Sequence, residues 1–270
     1  MAVKSGLPAQ KRLTGAAGNG SGLHQSLHDA RLRQRHTLRQ PPKVPGFEIS
    51  CLYRPMEAVG GDFYEFVPTP DGRVGMGIGD ASGHGVESCM LMAVTKKMVS
   101  FFGRNGLNPR ECLCLVNREI QEDVMVGVFI SAGYVVLDPE QREVTYARAG
   151  HPPPILYNPK RDPQVTMLNS NGIALGLGGG NRFDRTVEEK TIQLQDGDLL
   201  ILYTDGLVEL TAPDGSEIGE AGLAELVKKY YDRPIDDLVG QIWYQAEKLF
   251  QKTGQPDDIT MVALKVLPQA

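Results

Sequence analysis

Apolar and polar positions change their period several times along this chain, and each change marks a predicted element. Alternation from Phe47 to Tyr53 predicts a strand with one buried face. Two more strands, Gly61 to Val67 and Val74 to Asp80, flank Pro68-Thr69-Pro70-Asp71-Gly72-Arg73, whose proline and Asp-Gly punctuation predicts a hairpin turn. From Glu87 to Phe102 the apolar residues Leu91, Val94, Met98, Phe101 and Phe102 recur at helical spacing. Asn108 caps a second helix, with Pro109 at its first position and Glu111 completing a capping box. Strands are expected over Val126 to Leu137, Glu143 to Arg148, Pro154 to Tyr157 and Val165 to Leu168. Phe183 to Leu194 and Leu199 to Tyr203 read as a further pair joined by the Asp196-Gly197 turn. Helices over Glu220 to Tyr231 and Ile235 to Lys252 precede a last strand, Ile259 to Val266. Blocks of antiparallel strands interrupted by paired helices predict a layered α+β domain. A doubly wound parallel fold needs regular β-α alternation, which is missing here.

The first forty or so residues break this density. Met1 to Gly22, rich in Gly, Ala and Ser, is expected to be disordered or a linker. Leu23 to Arg39 predicts a basic helix with Leu27, Leu32 and Leu38 as its few apolar anchors, and Pro41-Pro42-Lys43-Val44-Pro45-Gly46 ends it. Residues 23–46 are therefore expected to be a basic helix and Pro-rich linker, serving either as a lever toward an upstream sensor or regulator or as a solvated tail. The globular domain is expected over 47–267. A chain of 270 residues holds an ample core. Its formal net charge of -5 excludes a broad nucleic-acid footprint. No apolar run reaches the roughly 18 residues of a membrane helix, so no membrane span is expected. The N-terminus lacks the apolar block of a signal peptide. Cys51, Cys89, Cys112 and Cys114 form neither a CxxC pair nor a disulfide framework, and a reduced, cytoplasmic protein is expected.

Candidate chemistry lies in four aspartates at the ends of apolar runs: Asp62, Asp80, Asp205 and Asp258. A hairpin centred near Asp71 sets Asp62 opposite Asp80. Like charges directly opposite on an antiparallel pair are destabilising, so something positive is expected between them. Asp205 follows Leu199-Leu200-Ile201-Leu202-Tyr203, a continuous apolar strand predicted to be buried on both faces, and Asp258 opens the last strand with Asp257 beside it. Oxygen donors without Cys or clustered His select hard cations, Mg²⁺ or Mn²⁺. Four carboxylates roughly neutralise two such ions, and a two-metal site can present a bridging hydroxide to a phosphate monoester. The glycines around Asp80 allow the backbone to bend so that the Ala81 carbonyl also faces a metal.

Five segments in order resemble the bacterial PP2C-type (PPM) serine/threonine phosphatases of the SpoIIE/RsbU group. They are Val59-Gly60-Gly61-Asp62-Phe63-Tyr64, Gly79-Asp80-Ala81-Ser82-Gly83-His84-Gly85, Ala149-Gly150-His151-Pro152-Pro153, Leu202-Tyr203-Thr204-Asp205-Gly206-Leu207 and Asp257-Asp258-Ile259-Thr260. The likeness runs from about Pro45 to Val266. It implies a PP2C-like four-layer α-β-β-α sandwich of two mainly antiparallel sheets flanked by helix pairs. It also implies two Mn²⁺ or Mg²⁺ ions held by Asp62, Asp80, the Ala81 carbonyl, Asp205 and Asp258. The implied substrate is a phosphoserine or phosphothreonine on a STAS-type anti-anti-sigma factor. Departures from the family pattern are Glu65 in place of an Asp, Arg148 in place of an Asn, Ala81 in place of a Gly, and Ser82 where eukaryotic relatives have His. None removes a carboxylate ligand.

Outside the aspartates, His84 is a candidate proton donor to the leaving oxygen, or a brace for its loop. Arg54 is a candidate for forking onto substrate phosphate. His151, ahead of three prolines, reads as a turn residue, and Ser82 as a backbone organiser without a His-Asp relay. Two rival readings are a catalytically weak scaffold in a partner-switching pathway and a hydrolase of small phosphoesters. For the second, Gly176-Leu177-Gly178-Gly179-Gly180 ends no clear strand and opens no helix, so it makes a poor nucleotide cradle.

Overall fold

The computed structural model describes residues 20–121, 127–178, 181–211, 215, 217–251 and 254–269, with side chains from residue 26 onward. The segment expected to be disordered falls almost wholly outside these residues. One sheet carries, in spatial order, β1 (Phe47–Arg54), β10 (Ile259–Val266), β9 (Leu199–Tyr203), β6 (Ile155–Tyr157) and β7 (Val165–Met167). The other carries β2 (Asp62–Pro68), β3 (Val74–Ala81), β4 (Ile130–Asp138), β5 (Glu143–Ala149) and β8 (Glu189–Gln193). All neighbouring strands pair antiparallel.

Strand alternation divides the apolar residues into three cores. Tyr64, Phe66, Met76 and Ile78 of the second sheet meet Leu200, Leu202, Val262 and Leu264 of the first between the sheets. Phe63 and Val67 turn outward, under α2 (Gly85–Arg104) and α3 (Pro109–Ile120). Ile201, Tyr203 and Met261 turn the other way, under α6 (Gly219–Tyr230) and α7 (Ile235–Phe250). The result is four layers, α-β-β-α. β9 is buried along its whole length, as its unbroken apolar run requires. The capping box of α3 is formed: Asn108 Oδ1 accepts the Glu111 N–H at 2.8 Å, and the Glu111 carboxylate accepts the Asn108 N–H at 3.4 Å. Among the described residues no helix is long and apolar enough to cross a membrane.

Two expectations are corrected. Phe183 to Leu194 is not one strand: residues Arg182–Thr186 form a short helix, α4, and only Glu189–Gln193 extends. Phe183 and Val187 are both buried, and their four-residue spacing is that of a helix face rather than a strand. Arg110 fixes the end of this helix by donating to the carbonyls of Asp184 and Val187. Nor do β8 and β9 pair. The Asp196-Gly197 turn carries the chain from one sheet to the other, because half-exposed β8 suits an edge whereas β9 needs cover on both faces. Buried Asp198 pins the crossing, accepting from Asn158 at 2.8 Å, Arg161 at 2.7 Å and the Gln195 N–H at 2.7 Å. β4 begins at Ile130, and its expected start at Val126 lies outside the described residues. The N-terminal helix α1 spans Gly20–Thr37, with Leu32 46% exposed and Gln34 buried in its place. Leu38 does pack on the core between the sheets.

Candidate active site

The register of the β2–β3 hairpin sets Asp62 directly opposite Asp80. Asp62 shares its face of β2 with Tyr64 and Phe66, so its carboxyl enters the end of the space between the sheets. Glu65 is on the opposite face. There it meets Lys96 Nζ at 2.6 Å and Arg39 Nε at 3.1 Å, away from the aspartates. From the other sheet, Asp258 precedes β10, while Thr204 and Asp205 follow β9 and open the short helix α5 (Asp205–Val208). Asp258 joins the two sheets. Its Oδ1 accepts the Met56 N–H at 2.6 Å, and its Oδ2 accepts the N–H groups of Gly61 at 2.6 Å and Asp62 at 3.4 Å. Such an approach is open only to glycine at two points. A Cβ on Gly60 would lie 2.2 Å from Asp258 Oδ2, and one on Gly206 would lie 2.1 Å from the Asp258 carbonyl oxygen. Thr204, which sequence reasoning passed over, straps the sheets together: its hydroxyl donates to Asp62 Oδ2 at 2.7 Å and accepts the Thr260 N–H at 2.9 Å. The alternation of β9 would have revealed it, since Leu200, Leu202 and Thr204 share the inward face.

The electrostatics are those of acids without a counter-charge. Burial, then repulsion from Asp80, holds the Asp62 carboxyl well above the ordinary carboxylate range, although the Thr204 hydroxyl opposes this. Asp80 is pushed up to about 7 by burial first and then by Asp205, Asp257, Asp258 and Glu209. Asp205 is raised by burial and by Asp257. Asp258 is raised by burial, against three backbone N–H bonds that favour its charged form. Among the described residues the ion pairs engage none of these four aspartates. Such a donor set, all oxygen and short of positive charge, fits a hard divalent cation. It is not a finished cage, for among the described residues no three His, Cys, Asp or Glu side chains stand grouped for a metal.

Other candidates fall around this cluster. Ala81 ends β3 fully buried in ordinary extended backbone, and its N–H donates to the Gly61 carbonyl at 3.2 Å. Its own carbonyl oxygen turns toward Gly61, 2.7 Å from where a Cβ would stand. His84 sits between two glycines of positive φ, Gly83 and Gly85, at the N-terminus of α2. Its side chain is 77% exposed, with Nδ1 3.4 Å from Glu57 Oε1. Arg54 ends β1 opposite Ile259 in the ladder, next to Asp258 in the chain. Its guanidinium donates to the Tyr53 carbonyl at 2.9 Å and lies 5.2 Å over the Trp243 ring. Ser82 organises backbone, its hydroxyl accepting the Phe129 N–H at 3.0 Å. His151 is buried beside Ser131, with Nδ1 2.7 Å from its hydroxyl oxygen.

Comparison with known proteins identifies the family and the fold. Residues 70–267 match the family model described as stage II sporulation protein E (SpoIIE), a span that includes Asp80, Asp205 and Asp258. The phosphoserine phosphatase RsbU of Bacillus subtilis is 25% identical over 224 residues, which are 83% of this chain and 64% of RsbU. The chain thus spans just under two thirds of that relative's length. Among solved structures, the SiaA-PP2C domain of Pseudomonas aeruginosa superposes with a TM-score of 0.77 at 20% identity, covering 91% of this chain and 97% of that one. RsbX in complex with magnesium superposes with a TM-score of 0.61 at 17% identity, covering 84% and 98%. At these identities the structural likenesses establish the fold, and the family match covers most of the chain. The chain therefore belongs to the SpoIIE family and has the PP2C fold.

Proposed function

We propose that this chain is a metal-dependent protein serine/threonine phosphatase acting in the cytoplasm on a phosphoserine or phosphothreonine of a STAS-type anti-anti-sigma factor. The observation that carries this reading is that Asp62 and Asp80, opposite one another across one hairpin, lie within electrostatic reach of Asp205 and Asp258 from the other sheet, with no ion pair to any of the four among the described residues. Asp62, Asp80, the Ala81 carbonyl, Asp205 and Asp258 would hold two Mn²⁺ or Mg²⁺ ions. When bound, such ions supply Lewis acidity toward phosphate oxygens and lower the pKa of water. The magnesium in RsbX and the relatedness to RsbU support the choice of cation and of substrate class.

The chain's own residues supply the rest. Thr204 holds the Asp62 carboxylate in one orientation, and the N–H groups of Met56, Gly61 and Asp62 do the same for Asp258. His84, exposed at the start of α2, donates a proton to the departing serine or threonine oxygen. Arg54, at the sheet end beside Asp258, anchors an oxyanion of the incoming phosphoprotein. The N-terminal helix links the domain to an upstream regulator.

Hydrolysis of p-nitrophenyl phosphate and of a phosphoserine peptide, with and without Mn²⁺, tests the reading against Asp80→Asn and Asp205→Asn. Activity that needs metal and is lost in both variants is expected. Turnover that survives both substitutions, or that ignores chelator, overturns it.

A further inference from the structure

The segment that delivers Asp62 is held from outside the sandwich. Gln34, near the end of α1, is only 6% exposed although Arg33 and Arg35 beside it face solvent. Its amide nitrogen donates to the Gly60 carbonyl at 2.8 Å, and its amide oxygen accepts the Gly60 N–H at 3.1 Å. The Gly60 carbonyl belongs to the same planar unit as the Gly61 N–H, because a peptide bond does not rotate. That N–H donates to Asp258 Oδ2 at 2.6 Å. One rigid group is therefore held at its oxygen by Gln34 and at its hydrogen by Asp258, and two such bonds strengthen each other through the amide. Glycine is required here, since a Cβ at position 60 would strike the Asp258 carboxylate.

The rest of the α1 anchor is separate from this peptide. Lys96 Nζ donates to the Thr37 carbonyl at 2.6 Å and pairs with Glu65, which Arg39 also contacts. These bonds tie the end of α1 to α2 and β2. Gln34 reaches Gly60 with both ends of its amide, whereas Lys96 and Arg39 bond elsewhere.

We infer that Gln34 is a positioning residue for the cation site, orienting the Gly60–Gly61 peptide and, through it, the Asp258 carboxylate. The inference rests on the metal-dependent phosphatase reading. Residues that orient metal ligands by hydrogen bonds typically change metal affinity about 10–100-fold when altered. Gln34→Met keeps the volume and removes both bonds. Gln34→Glu still accepts from the Gly60 N–H but cannot donate to the Gly60 carbonyl, and its added negative charge works in the cation's favour. Arg39→Ala loosens α1 without touching Gly60.

Calorimetric titration of the full chain with MnCl₂, beside thermal unfolding and p-nitrophenyl phosphate turnover across Mn²⁺ concentrations, decides the matter. Both Gln34 variants are expected to bind Mn²⁺ about tenfold more weakly or worse, and to recover turnover at excess Mn²⁺. Arg39→Ala is expected to lower the unfolding temperature and leave Mn²⁺ affinity unchanged. Unchanged affinity in the Gln34 variants overturns the inference, as does an equal loss in Arg39→Ala. A parent chain that neither binds Mn²⁺ nor turns over phosphoester fails one step earlier, and the phosphatase reading falls together with this inference.

Discussion

Gly60 and Gly240 make opposite demands on a methyl group. A Cβ on Gly60 meets the Asp258 carboxylate within van der Waals distance, whereas one on Gly240, exposed in α7, meets nothing within 4 Å. Gly60→Ala is expected to abolish metal-dependent turnover, while Gly240→Ala keeps full turnover and raises stability by about 0.5–1 kcal/mol. Activity assays and denaturant unfolding of the two variants check this. At His84 the leaving group is the probe. Nitrophenolate departs without a proton and a serine alkoxide does not, so His84→Ala should lower kcat on phosphoserine far more than on p-nitrophenyl phosphate. Equal losses on both substrates would remove the proton-donor role. His151 gives a pH signature instead. Burial, its largest influence, lowers its pKa from the ordinary 6.5 to about 3, so the folded chain holds the ring neutral where the unfolded chain would protonate it. The unfolded state then binds the extra proton between those two values. Stability from this residue is complete above about pH 6.5 and is lost as pH falls toward 3. Unfolding of the parent and of His151→Gln at pH 7 and pH 5 should show the parent losing more on acidification.

Elements differ in how plainly the sequence announces them. α3 is announced by its cap, and Asn108→Ala should cost about 1 kcal/mol, read from chemical denaturation; no change would mean the cap is redundant with the burial of Leu113 and Val116. The β2–β3 hairpin is equally legible, because its turn chemistry and alternation agree on one register and that register places Asp62 against Asp80. β9 is legible from its unbroken apolar run. Partner choice is not. β8 and β9 flank an Asp-Gly turn, a local hairpin signal, yet the need of β9 for cover on both faces sends it to the other sheet. Local turn chemistry was outweighed by burial that only the assembled layers define. α4 was misread because Phe183 and Val187 bury at helical spacing within a span too short to display a period. The aspartates of the site were legible one by one, since each ends an apolar run. The hydrogen-bonded pairings around them were not. Gln34 lies 26 residues from Gly60 in the chain and Thr204 lies 142 from Asp62, and nothing local in the sequence connects either pair.

For the molecule as a whole, the site is a place where folding gathers negative charge from both sheets. Assembling the sandwich buries Asp62 and Asp80 of one sheet near Asp205 and Asp258 of the other, and burial first, then repulsion from neighbouring acids, raises the affinity of these four for protons. The unfolded chain separates these charges, so the repulsion weighs against the folded state alone. On the proposed reading, divalent cations reverse the balance by binding the folded state preferentially. At a concentration 100 times the dissociation constant, such binding adds about 2.7 kcal/mol. In a chain of this size each kcal/mol moves the unfolding temperature by roughly 2–4 °C, so Mn²⁺ should raise it by about 5–10 °C over a chelator-treated sample. Asp80→Asn should do two things at once. It removes a repelling charge and so raises the unfolding temperature in chelator, and it removes a ligand and so shrinks the response to Mn²⁺. An acid kept only for solvation or strand-end polarity would give neither effect. Calorimetric scans of parent and variant with EDTA and with Mn²⁺ therefore separate a cation site from a cluster of surface charges, without reliance on turnover.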